Sequence, residues 1–210
     1  MPWLKLDQGS EEWLAARRGV VTGSRFKDCR SKLQNGQPSK SCLDYARDVA
    51  RERFGGTAPA KSQNAAMRTG VEQEPKARAL YEARTGYMVD EVGFFATEDG
   101  FFGLSPDGLI DDDGVLEIKT IVSSDTLFTA LVDGDLSAYR DQCLGYLWLL
   151  GRKWVDLVLW APDLEKAGRK GLHIIRIDRD EDSIEKLEAD LMAFVALVQD
   201  REEQLRLKAA

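Results

Sequence analysis

The chain is short of the side chains that most metal and redox chemistry uses. It has one histidine, His173, in 210 residues, which excludes a histidine-based metal site. The three cysteines, Cys29, Cys42 and Cys143, are odd in number and lack CxxC spacing. That argues against a disulfide framework, a zinc ribbon and an iron–sulfur cluster. No apolar run approaches the ~18 residues of a membrane span, and no N-terminal segment reads as a signal peptide. The longest apolar block lies near 143–150. Internal repeats and low-complexity linkers are also missing. The expectation is a cytoplasmic protein with no membrane partner, in which any metal chemistry runs on carboxylates.

Positive charge is the other shortage. With 29 Lys and Arg against 36 Asp and Glu, the net charge is −7. A nucleic-acid binder normally carries a basic footprint. The distribution is uneven, however: residues 11–61 hold eleven Lys or Arg and six Asp or Glu. The acidity gathers at 111–113 and 178–190. Metal sites need clustered carboxylates, whose charge bound ions offset. A protein that encloses DNA can be acidic outside and basic inside. For several of Arg17, Arg18, Arg25, Lys27 and Arg30 the alternative is a solvated helix face. At this length, and with 43% apolar residues, a single domain over 1–210 can bury a substantial core.

Local patterning predicts an N-terminal helical part over 1–86. Ser10 caps a short helix through Arg17. A second helix starts near Thr22 or Ser24 and runs to about Leu33. Ser41 with Asp44 resembles an acidic capping box and opens a helix ending at Gly55-Gly56. Residues 57–64 read as a loop, and 65–84 as a helix closed by Gly86. Strands follow at 87–96, 101–109 and 115–122, then helices at 124–132 and 138–150. Further strands are expected at 155–160 and 172–177. The helix at 182–206 presents Ile184, Leu187, Leu191, Phe194, Val195 and Val198 on one face. This order predicts an α+β fold, a mixed sheet flanked by helices, with the sheet core over 87–180.

The most informative stretch is SPDGLIDDDGVLEIK at 105–119. DDDG is a good hairpin turn. Glu117 and Lys119 are two apart on a strand and share a face. Asp107 sits on the strand before the turn. Carboxylates are hard oxygen ligands suited to Mg²⁺ or Mn²⁺. Two of them beside an ammonium suit metal-assisted phosphodiester hydrolysis. By spacing alone, a metal site and a solvated hairpin stay equally open.

Pro106-Asp107, nine residues, then Glu117-Ile118-Lys119 resembles the PD-(D/E)XK nuclease signature. QCLGY at 142–146 matches the QxxxY helix motif of the RecB-like branch. GVEQEPKARALYEARTG at 70–86 resembles the helix that carries a further acidic residue there. WLAARRGVVTGS at 13–24 resembles the opening of the bacteriophage lambda exonuclease family. These blocks agree in order and spacing. The four-cysteine cluster of some RecB-like nucleases cannot form with three cysteines. The family's second glutamine is Leu144 here, and Trp13 comes early, so no longer leader arm is expected.

The resemblance implies a PD-(D/E)XK core and a metal-dependent 5′→3′ exonuclease on double-stranded DNA. Asp107, Glu117 and the main-chain carbonyl of Ile118 would hold metal, two Mg²⁺ or Mn²⁺ ions in the family's manner. Lys119 would orient and help deprotonate the attacking water, or neutralise the developing charge. Glu74 is chosen over Glu72 by the family register; a surface helix position is its alternative. Gln142 would sit at the site's edge, on DNA or a coordinated water, with Tyr146 mostly packing; both could instead fill the helix–sheet interface. Arg17, Ser24 and Ser105 would line a pocket for the 5′-terminal phosphate, with Arg17 rather than Arg18 in register. The family further implies a homotrimer working beside a single-strand annealing protein in DNA recombination. A restriction or junction-resolving endonuclease, and a non-catalytic DNA-end-binding module, are the competing functions.

Overall fold

The structure is a computed structural model that describes residues 3–59 and 65–209. Its centre is a mixed four-stranded sheet built from the most apolar strand sequences. β6 (Gly114–Thr120) and β7 (Trp154–Trp160) run parallel in the middle. β5 (Gly108–Ile110) and β8 (Leu172–Asp178) flank them antiparallel, giving the order β5-β6-β7-β8. Parallel strands need a long crossover. Here it consists of α5 (Ser124–Leu127), a π-helical turn (Phe128–Val132) and α6 (Ser137–Leu150). Gly151 ends α6 in the left-handed conformation that a helix C-terminus favours.

A second sheet of short strands sits beside the first, in the order β1-β3-β4-β2. It comprises β1 (Trp3–Leu4), β2 (Val21–Thr22), β3 (Phe94–Ala96) and β4 (Phe102–Leu104). The remaining helices are α1 (Glu11–Ala16), α2 (Phe26–Cys29), α3 (Lys40–Arg53), α4 (Ala65–Thr85), α7 (Pro162–Lys166) and α8 (Glu181–Ala209).

Each face of the central sheet buries its own apolar cluster. On one face Ile110, Leu116, Ile118, Val158 and Trp160 pack against Ala77 and Tyr81 of α4. On the other, Val115, Val155, Leu157 and Leu159 pack with α3, α6 and α8. The predicted α8 face is wholly buried, from Ile184 to Val198. Fully burying one such side chain is worth roughly 1.5–3 kcal/mol. Among the described residues no helix is long and apolar enough to cross a membrane. All three cysteines are free and buried.

Several expected boundaries shift. The strand expected at 101–109 is two strands in two sheets, because Ser105-Pro106 breaks the run between β4 and β5. The one at 87–96 is confined to Phe94–Ala96, with only an isolated bridge from Asp90 to Leu109 upstream. The helix expected from Thr22 or Ser24 to Leu33 is a 3₁₀ turn (Gly23–Arg25) followed by α2, which ends at Cys29. The N-cap of α3 is Ser39, not Ser41: the Ser39 side chain accepts from the Cys42 N–H. Strands β1 and β2 and helix α7 were not expected. Of the loop expected at 57–64, residues 60–64 lie outside the described residues.

Candidate active site

The strand register builds the site. Gly108 pairs with Leu116 across the β5–β6 hairpin. Asp107 lies one residue before that pair, beside Glu117. Alternation along β6 sends Leu116 and Ile118 to the α4 face, and Glu117 and Lys119 to the α6 face. Both carboxylates are buried, Asp107 with 9% and Glu117 with 2% of its surface exposed. Asp107 accepts the Ile118 backbone N–H at 2.6 Å. Lys119 Nζ lies 2.6 Å from Glu117 Oε1.

Helix α6 closes one side. Gly145 lets it approach α2: a Cβ there would stand 2.4 Å from the Phe26 ring. This brings two side chains four residues apart onto Glu117. The Gln142 amide donates to Glu117 Oε1 (2.8 Å) and to the Tyr146 hydroxyl (2.7 Å). Its carbonyl accepts from Lys119 Nζ (3.2 Å). The Tyr146 hydroxyl donates to Glu117 Oε2 at 2.5 Å. Tyr146 is therefore more than packing: it fixes the carboxylate that Lys119 neutralises. The QxxxY spacing held this signal, since positions i and i+4 share a helix face.

Glu74 reaches the site from α4. It is half-buried, whereas Glu72 is exposed. Arg78 Nη2 donates to it at 2.5 Å and holds Glu91 at 2.7 Å through Nη1. Arg78 was not singled out from the sequence, and its i+4 spacing from Glu74 was the available clue. Helix α4 runs through Pro75, which removes the intrahelical donor to the Val71 carbonyl.

Electrostatics mark this cluster as carboxylate-rich. Burial first, then the charges of Glu117 and Glu74, push the Asp107 carboxyl well above its usual range. Burial and Glu117 likewise raise Glu74, against the pull of Arg78. Burial alone would lower Lys119, but Glu117 and Asp107 outweigh it and hold the ammonium protonated. Asp107, Glu117 and Glu74 thus face one lysine and one shared arginine.

A divalent cation fits this donor set. Asp107 Oδ1 has no protein partner among the described residues, and every donor is a hard oxygen. Among the described residues no three Asp, Glu, His or Cys side chains form a metal cage. A partial set is what Mg²⁺ uses, since it keeps several of its waters. Asp107, Glu117 and the Ile118 carbonyl are the groups that would hold it. His173 is remote from this chemistry, on β8 with its ring against the Lys170 carbonyl.

These groups line a cleft of about 1710 Å³. Arg17, Ser24 and Ser105 line the same cleft. Trp13, which the sequence offered only as a motif position, joins two of them. Its indole N–H donates to Ser105 Oγ at 3.0 Å, and the Arg17 guanidinium lies 4.0 Å over its ring. Burial pulls Arg17 below its ordinary value, opposed only by Tyr45 and Tyr146. An arginine titrates too high to lose its proton. Ser24 is exposed in the 3₁₀ turn, and Arg18 is exposed outside the cleft lining. One cleft therefore holds a carboxylate–lysine centre and a half-buried arginine suited to an anion.

Residues 12–153 match the model of the YqaJ-like viral recombinase domain. The chain belongs to that family. A crystal structure of an alkaline exonuclease from Laribacter hongkongensis is 36% identical, with a TM-score of 0.81 over 95% of this chain and 98% of that one. The same exonuclease in complex with dAMP gives 36% and 0.82, with the same coverage. A phage-related exonuclease from Haemophilus somnus 129PT, 18% identical with a TM-score of 0.67 over 91% and 96% of the two chains, shares the fold. No curated protein matches. The YqaJ-like chain thus has the PD-(D/E)XK fold and the lambda-exonuclease relationship that its motifs resemble, and it is a nuclease of that family.

Proposed function

We propose that this chain, as one nuclease domain, is a divalent-metal-dependent 5′→3′ exonuclease on double-stranded DNA that acts in recombination. The observation that carries the reading is the single cleft joining Asp107, Glu117 and Lys119 to the Trp13–Arg17–Ser105 group. The family match and the alkaline exonuclease likeness support it, as does the dAMP complex of that relative.

Water adds to phosphorus and the P–O3′ bond breaks, releasing a mononucleotide and leaving a new 5′-phosphate on the shortened strand. Mg²⁺ or Mn²⁺, as two ions in the family's manner, would supply Lewis-acid stabilisation of the phosphoryl oxygens and a more acidic water. Asp107, Glu117 and the Ile118 carbonyl would hold the metal, with Glu74 as a further acid beside them. Lys119 orients the water and neutralises the developing charge. Gln142 and Tyr146 fix Glu117 and Lys119 relative to each other. Arg17, Ser24 and Ser105 receive the 5′-terminal phosphate, the guanidinium contributing a planar fork. Each cut presents a new phosphate to that pocket, and a 3′ single strand is left. A homotrimer around the DNA, passing that strand to a single-strand annealing protein, completes the proposal.

The test is degradation of linear duplex DNA labelled at one 3′ end, with Mg²⁺. The expected result is loss of the 5′-phosphorylated strand from its end, an intact closed circle and an inert Asp107→Ala control. A 5′-hydroxyl end should react more slowly, and Arg17→Ala should abolish that difference. Cutting of the circle would replace the reading with an endonuclease, and no metal-dependent cutting would leave a DNA-end-binding module.

A further inference from the structure

Helix α6 has two working faces. Tyr139 and Gln142 face the large cleft, while Ser137, Arg140 and Asp141 line a separate groove of about 400 Å³. Its opposite wall is α2 and the turn after it, with Lys27, Arg30 and Lys32. Ser24, three residues before Lys27, lines the large cleft. The groove is therefore next to the proposed phosphate pocket, across the α2–α6 junction.

Its charges fall into two sets. Arg30 is held between Asp141 (2.6 Å) and Asp190 (2.9 Å), and Lys32 binds Asp190 at 2.8 Å. These pairs form a fixed wall. The Lys27 and Arg140 side chains are exposed and make no hydrogen bond or ion pair among the described residues. Two further acids face Lys27: Asp28, its chain neighbour, is paired with Arg25, and Asp135 accepts the Ser137 N–H (2.8 Å) and senses Lys27 through space. Among the described residues no aromatic side chain lines the groove, so it offers bases no stacking surface. Cations and a serine hydroxyl without a stacking platform suit a sugar–phosphate backbone, read without regard to sequence.

We propose that Lys27 and Arg140 form a second phosphodiester-binding subsite that carries the DNA backbone beyond the active cleft. This rests on the nuclease reading for the DNA that arrives there. The subsite adds affinity and register away from the reacting phosphate, and its two free cations each displace counterions from the strand.

The experiment measures affinity for a 30-base-pair duplex in EDTA, where nothing is cut, across salt concentration. For the Lys27→Ala/Arg140→Ala variant the slope of log K against log salt should become shallower by about 2. Between roughly 50 and 200 mM salt the wild type should therefore lose about tenfold more affinity than the variant. Lys27→Glu alone, at an exposed and unpaired position, should weaken binding in the same direction. The charge-matched control Arg169→Ala/Lys170→Ala, at exposed residues on the α7–β8 connection, should leave the slope unchanged. An unaltered slope in the groove variant, or an equal change in the control, would overturn the subsite. Failure of the nuclease reading would register separately, as wild-type protein that binds duplex but does not degrade it when Mg²⁺ is added.

Discussion

Two buried carboxylates, Glu117 and Asp156, sit on neighbouring strands of the same sheet, and of the two it is Glu117 that lines the large cleft. Glu117 of β6 and Asp156 of β7 point to opposite faces, since Leu116 pairs with Asp156 and Glu117 with Leu157. Each is bound by a cation and a tyrosine hydroxyl. Asp156 receives Arg176 through two hydrogen bonds (2.8 and 2.9 Å) and the Tyr81 hydroxyl at 2.6 Å. Arg176 in turn lies 3.7 Å over the Trp154 ring. One charge meets one charge, every oxygen has a donor, and α4 is tied to the sheet. Glu117 has the same kinds of partner, but it stands beside Asp107 and Glu74 and opens onto the cleft. Surplus negative charge facing a cleft suits a bound cation; balanced charge under a helix makes a structural anchor.

Substitutions can break this contrast in both directions. Lys119→Ala should lower DNA degradation about a thousandfold or more, and it should also cost stability by leaving the buried Glu117 without its counter-charge. Unaltered turnover in that variant would contradict the assignment. Arg176→Ala, away from the cleft, should leave degradation by the folded protein nearly unchanged and act on stability alone. It leaves Asp156, with 1% of its surface exposed, without its counter-charge, at a cost of about 3 kcal/mol in urea unfolding. A stability loss below about 1 kcal/mol would show that Tyr81 alone suffices.

The two tyrosines give a finer comparison. Tyr146→Phe and Tyr81→Phe should each cost about 1 kcal/mol of stability, because each leaves a buried carboxylate one donor short. Only Tyr146→Phe should also slow DNA degradation, by roughly tenfold, the scale at which groups behind metal ligands act. Equal rates in the two variants would erase the distinction between the centres.

The smallest effect concerns acid stability at the α2–α8 contact. Burial pushes Asp190 up, but hydrogen bonds from Lys32 and Arg30 outweigh it, so its folded-state pKa lies below the ordinary 3.8. Its contribution is therefore present above about pH 4 and is lost as pH falls through the depressed native value. Melting curves of wild type and Asp190→Asn should differ by a degree or two near neutrality and converge in acid. A gap that widens in acid would reverse the sign.

Much of this was legible in the chain because it was local. Spacing two along a strand placed Glu117 beside Lys119, and spacing four along a helix placed Gln142 with Tyr146. The apolar stripe of α8 gave its buried face. The break at Ser105-Pro106 was harder: 101–109 was expected as one strand, but Ser105-Pro106 divides it between two sheets. Strands β1 and β2, each two residues long, exist only because β3 and β4 offer them edges. Trp13 and Ser105 are 92 residues apart, and nothing local couples them.

By itself the sequence determined which groups could do chemistry here: carboxylates, a lysine and arginines, with too little histidine and cysteine for anything else. It also determined the neighbours within each strand and helix, because side-chain direction there follows from backbone period alone. Only the tertiary structure decided which carboxylate stands amid surplus negative charge beside the cleft. That depended on which charges from distant elements gathered around it, Glu74 and Asp107 at Glu117 and Arg176 at Asp156. Coulomb energies and desolvation depend on distance and burial in space, and sequence separation fixes neither.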